Sequence, residues 1–134
     1  MTINHWEDFK RASGRSYKFS DEAFELLFNY YNENYIVEDI EVNYGLLGWW
    51  EEYEEPYLAL DRAKLDNLRD KLWIDNMERD GIAYEEGMDL PYEYEPETDQ
   101  LNDAALKYLR EQYETILESE YSQLIVIDHG SKKP

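Results

Sequence analysis

The chain contains no cysteine, which excludes disulfides and thiolate metal sites. It has two histidines, His5 and His129, near opposite ends of the sequence, too few for a zinc centre without cysteine. No apolar run approaches the roughly 20 residues needed to span a membrane, and no signal peptide is recognisable. Glycine-rich phosphate loops are missing, as are the GxGxxG and GxSxG patterns. Calcium-loop spacing is missing too. With 32 carboxylates, an acid–base pair cannot be singled out, so a small hydrolase using two carboxylates stays a third reading. Base is scarce as well. Thirteen Lys and Arg stand against 32 Asp and Glu, a net charge of −19 on 134 residues.

That scarcity is segregated. Phe19 to Asp61 holds twelve acidic residues and no Lys or Arg, and Asp80 to Leu106 holds nine more, again with no base. Two base-free blocks point to a partner that accepts a polyanion, whereas a diffuse bias would only aid solubility. Duplex DNA carries one charge per roughly 1.7 Å, so nineteen charges correspond to about 32 Å of duplex. A compact domain of this length has a radius of gyration of roughly 14 Å and a diameter of about 35 Å. The two charge densities are therefore alike, provided the carboxylates share a face. Such a surface repels nucleic acid and anionic lipid.

Disorder is the first alternative for so acidic a chain, but 13 Tyr, 4 Trp and 4 Phe argue for a core. The length fits one domain over 1–134, and the compartment is cytoplasmic by default. A short helix is expected from His5 to Ala12, with Asn4 and Glu7 at capping-box spacing and Ser13-Gly14 as its stop. The next helix has Ser20 as N-cap, Asp21 and Glu22 in the first turn, and Phe19 stapled onto Phe24. Its stripe is Phe24, Leu27, Phe28 and Tyr31, ending near Asn34. Ile40, Val42 and Tyr44 alternate as a strand. Pro56 can open a helix, and Asp61 caps its stronger part, with Leu65, Leu68, Leu72, Trp73 and Met77 inward and Gly81 as the stop. Residues 82–97 read as an acidic loop. Thr98 or Asp99 caps a last helix reaching Ser119, followed by a buried strand at 124–127 lying beside 40–44. Residues 130–134 form a frayed tail. The fold class is α+β: a small antiparallel sheet with three to four helices and a strongly acidic surface.

Aromatics interleave with the acids. Glu51, Glu52, Tyr53, Glu54 and Glu55 follow Trp49 and Trp50. Glu85, Glu86 and Asp89 precede Tyr92, Glu93, Tyr94 and Glu95. Tyr and Trp suit interfaces because they bury area at low entropic cost. Arg and Lys of a basic groove pair with carboxylates and stack on rings. These twelve residues are the candidate partner-binding set. No catalytic residue, cofactor or resident metal is assigned, though either cluster could bind Mg²⁺ or Ca²⁺ weakly as a counterion.

The segment from Phe19 through Ser20, Asp21, Glu22, Ala23 and Phe24 to Leu27, Phe28, Tyr31 and Glu33 resembles the start of small acidic proteins of phages and mobile elements in Gram-positive bacteria. In that family a strand and a Tyr/Glu-rich stretch follow, and Glu38-Asp39-Ile40-Glu41-Val42 and Glu51 to Glu55 stand in the same order. Leu124-Ile125-Val126-Ile127-Asp128 is similar to the family's C-terminal strand. The broader class of phage DNA mimics, anti-CRISPR and antirestriction proteins, occupies nucleic-acid grooves of host defence nucleases. The resemblance implies a non-enzymatic, stoichiometric inhibitor, monomeric or homodimeric, acting in the cytoplasm of an infected host. Its expected partner is a CRISPR effector such as Cas9. An antirestriction protein, or an acidic adaptor for another basic protein, is the alternative.

Overall fold

The computed structural model describes residues 3–14, 18–34 and 47–134. The strand expected at Ile40, Val42 and Tyr44, with the Glu38–Val42 segment of the family resemblance, lies outside the described residues. The contacts of the chain fall into two compact units, one made of 1–54 with 110–134, the other of 55–109. Together the elements form an α+β fold.

In the first unit, α1 (Trp6–Ser13) packs on α2 (Asp21–Asn34). The cap of α1 is His5 rather than Asn4, because the imidazole Nδ1 accepts the Glu7 N–H at 3.3 Å. Gly14 ends the helix with a left-handed φ of 67° and returns its N–H to the Arg11 carbonyl, a conformation that costs glycine least. Ser20 caps α2 as expected, its hydroxyl accepting the Ala23 N–H at 3.2 Å. The staple forms too: the Phe19 and Phe24 rings meet edge to face at 5.4 Å. Phe24, Leu27, Phe28 and Tyr31 are all buried and join Phe9, Leu47, Trp50, Leu124 and Val126 in one core. Trp50 satisfies its indole N–H inside that core by donating to the Tyr31 hydroxyl at 3.1 Å.

The sheet is antiparallel with strand order β1-β3-β2, where β1 is Trp50–Tyr53, β2 Ile116–Glu118 and β3 Ile125–Asp128. The continuous apolar run in β3 is buried on both faces, as its lack of alternation demands. Its two neighbours are β1 and β2. β2 corrects the expectation that the last helix reaches Ser119. Ile116 and Leu117, placed on that helix by their spacing, pair instead with Ile127 and Val126. A β-branched residue follows Thr115, and the open edge of β3 supplies the backbone partners that decide the conformation. The C-terminal segment, expected to fray, is tied in: Tyr113 bridges Lys132, and the Lys133 N–H donates to the Gln112 carbonyl at 2.7 Å.

The second unit starts with a 3-10 turn at Pro56–Ala59 and continues into α3 (Arg62–Arg79). Asp61 caps α3 by accepting the Lys64 N–H at 2.8 Å. Its apolar stripe is shallow: Met77 is buried, while Leu65, Leu68, Leu72 and Trp73 are half-buried. Gly81 stops the helix at φ 81°, and the Ile82 N–H returns to the Met77 carbonyl at 3.0 Å. After the 82–97 segment comes α4 (Thr98–Gln112), which buries Leu101, Asn102, Ala105 and Leu109. Among the described residues no helix is long and apolar enough to cross a membrane.

Candidate interaction surfaces

Strand geometry divides the acid run of β1. Alternate residues of a strand face opposite ways, so Trp50 and Glu52 point one way and Glu51 and Tyr53 the other. Glu52 reaches the start of α2. Its carboxylate accepts the Ser20 N–H at 2.8 Å and, from its other oxygen, the Ser20 hydroxyl. Glu51 lies 3.1 Å from His129 Nε2, and the Tyr53 hydroxyl lies 3.0 Å from the same nitrogen. Tyr113 closes this cluster with its ring perpendicular to the imidazole, 5.3 Å away. Burial, then the hydrogen bond and charge of Glu51, push the Tyr53 phenol well above the ordinary tyrosine range. Glu54 is exposed and has no partner among the described residues.

The face beside β1 is an open groove of about 750 Å³, lined by Lys18, Ser20, Trp49, Glu51, Glu52, Glu54 and His129 among others. Trp49 stands 67% exposed at its edge. Its carbonyl accepts the His129 N–H at 2.8 Å, so the backbone beneath the ring is fixed. Gly130 lies against the same ring: a Cβ there would sit 3.4 Å from Trp49 Cγ and 3.1 Å from Asp128 Oδ1.

Glu55 belongs to the second unit. It is half-buried and accepts from Asn102 Nδ2 at 3.2 Å, while Asn102 Oδ1 accepts the Tyr57 N–H at 3.2 Å. The hydrogen bond from the Tyr57 hydroxyl to Glu55 raises that phenol above its usual range. Glu55 is thus an internal fastener.

The remaining candidates lie on 82–97, which is irregular but anchored. Gly87 takes the positive φ, 84°, that a type II turn requires at its third position, and the Met88 N–H closes that turn on the Glu85 carbonyl at 3.1 Å. Farther along, Trp73 donates its indole N–H to the Pro91 carbonyl at 2.6 Å. Asn76 donates to the Tyr94 carbonyl at 3.1 Å and exchanges two amide bonds with Gln100. Tyr92 to Tyr94 form a 3-10 turn between these anchors. Glu85, Glu86, Asp89, Glu93 and Glu95 are all exposed, and Tyr92 is 82% exposed. Tyr94 is half-buried, and desolvation followed by its bond to Asp80 raises its phenol.

Two structural roles escape a reading of the sequence. The acids of 51–55 are adjacent in the chain, yet strand alternation and the turn at Pro56 separate their tasks. His129 joins them only through the pairing of β1 with β3. Among the described residues no three acidic or histidine side chains converge as a metal site, at either cluster. No protein-family model, curated protein or solved structure matches this chain.

Proposed function

We propose that this protein is a stoichiometric inhibitor that occupies the basic nucleic-acid groove of a partner protein, with a CRISPR effector nuclease as the first candidate. The observation that supports this most is the anchored acidic segment 85–95. Five exposed carboxylates and an exposed tyrosine stand on it, Trp73 and Asn76 hold its backbone at Pro91 and Tyr94, and the turn from Glu85 to Met88 orders its start. Charges on a pre-ordered backbone bind a basic groove at lower entropic cost than charges on a loose chain. The second unit carries fifteen acidic and six basic residues, a net of −9, so association with a cationic groove is steered and salt-sensitive. Exposed Glu51 and Glu54, beside Trp49, supply a similar surface on the first unit.

An order-of-addition cleavage assay with an RNA-guided nuclease tests the reading. Inhibition should need at least one copy per nuclease and should vanish when target DNA is bound first. Reversing Glu85, Glu86, Asp89 and Glu93 to Lys should weaken inhibition by tenfold or more, since close interfacial charge pairs contribute roughly 1.5 kcal/mol or more each. Reversing Asp66 and Asp70 on α3 is the control and should have far less effect. Equal loss from both sets would reduce the effect to net charge. Undiminished inhibition of a preformed nuclease–DNA complex would exclude competition.

A further inference from the structure

A second groove lies in the first unit, between α2 and β2, with a volume of about 370 Å³. Its floor is apolar. Leu26 and Tyr30 sit one turn apart on α2, and Leu117 reaches the same side of the sheet as its buried partner Val126. All three are half-buried and pack on the core from this side. The turn after β2 closes one end, where the Ser119 and Ser122 hydroxyls both donate to Glu22, the latter at 2.8 Å. Tyr121 stands 91% exposed beside it. The rim is acidic. Glu25, Glu33 and Glu120 are exposed and have no partner among the described residues, while Glu118 is held by Arg110 at 2.6 Å. No Lys or Arg is among the residues lining the groove.

We propose that this groove docks an extended segment of a partner protein with the pattern basic-x-apolar-x-basic. The argument is one of charge and spacing. Glu25 and Glu33 are eight helical residues apart, about 12 Å along the axis, with Leu26 and Tyr30 between them. In an extended chain, residues i and i+4 are about 13 Å apart, and i, i+2 and i+4 share one face. An apolar side chain on the floor therefore places the flanking Arg or Lys side chains at the two glutamates. A purely apolar occupant would strip water from the rim carboxylates without pairing them. A second copy of this chain, at −19, would bring charge of the same sign to the rim.

The probe is the end-blocked peptide GRSLSRG, titrated into isotope-labelled full-length protein and followed by amide chemical shifts. Salt is held at about 0.15 M, where exposed charges beyond roughly 8 Å are screened. Saturable shifts are expected at Leu26, Tyr30, Leu117 and Tyr121. Replacing the peptide's leucine by serine should weaken binding about fivefold, the equivalent of roughly 1 kcal/mol of apolar burial. Glu25→Gln with Glu33→Gln should weaken it by a similar factor while leaving the melting curve in place. The proposal is overturned if the serine peptide binds as well, if shifts spread over 62–79 or 85–97, or if binding does not saturate. Concentration-dependent broadening at the groove without peptide would overturn it in favour of self-association. The assay contains no nuclease and none of the reversed acids, so this proposal and the inhibitor reading can fail independently.

Discussion

Replacing Glu52 by Ala should destabilise the first unit, although Glu54, two positions along the same acid run, can be replaced freely. Glu52 makes two bonds to Ser20 and stands at the N-terminus of α2. A hydrogen bond to a charged group contributes about 1.5–3 kcal/mol when well buried. Glu52 is half-buried and Ser20 exposed, so about half of that is the appropriate figure for the two bonds together. A carboxylate at a helix start adds about 0.3–1 kcal/mol, screened by salt. Glu52→Ala should therefore cost about 1–2 kcal/mol, or roughly 4–8 °C in Tm for a chain of this size. Glu54→Ala should stay within about 0.5 kcal/mol, the usual range for a solvated surface change. Thermal melting by circular dichroism gives the first number, and amide exchange at Ala23 and Phe24 localises the loss to the first turn of α2. A double-mutant cycle with Ser20→Ala should show coupling of about 0.5–1 kcal/mol. If Glu52→Ala melts with Glu54→Ala, the Ser20 contacts contribute nothing, and Glu52 returns to the set available for binding.

Asn102 is 1% exposed and bonds both Tyr57 and Glu55, so Asn102→Ala should cost about 2–3 kcal/mol by leaving two partners unsatisfied, read from urea unfolding. Asn76→Ala should release the Tyr94 carbonyl and speed amide exchange across 91–95, while leaving exchange within α1 and α2 unchanged. The raised Tyr53 phenol predicts an alkaline effect. Below about pH 10, the ordinary tyrosine value, its contribution to stability is complete, and it is lost as pH climbs toward the folded-state value, because the unfolded chain ionises first. Absorbance titration of Tyr53→Phe should accordingly show one fewer late-ionising tyrosine, and stability should fall less steeply above that pH. Arg110 and Glu118 are 56% and 40% exposed, so Arg110→Ala should cost less than about 1 kcal/mol despite the short contact.

The helices were legible because their signals are local. Ser20, Phe19 and Phe24 announce the start of α2 within five residues, and Asp61 and Gly81 bracket α3 as their chemistry requires. The sheet was only partly legible. β3 shows itself as four apolar residues in a row, but β2 carries three residues whose spacing suits the end of a helix equally well. Their conformation is decided by β3, whose paired residues lie 7 to 11 positions farther on, and no local pattern contains that contact. The candidate set divides along the same line. Exposure of Glu85, Glu86, Asp89, Glu93 and Glu95 follows from a polar, turn-rich segment. The commitments of Glu52 to Ser20, Glu55 to Asn102 and Glu51 to His129 span 32, 47 and 78 positions of sequence, and charge density alone conceals them.

The order of the strands sets the timetable of folding. β1 at 50–53 pairs with β3 at 125–128, and β3 is also the strand that holds β2 in the sheet. As the chain is synthesised, α1 and α2 can meet early, yet the sheet beneath them cannot begin until residue 125 and its neighbours emerge. Closing so long a loop costs entropy that local contacts do not offset, which makes sheet assembly the slow event. Until then the apolar side of α2 and the indole of Trp50 wait in water. The high negative charge of the chain, repelling its copies, opposes association of that waiting state.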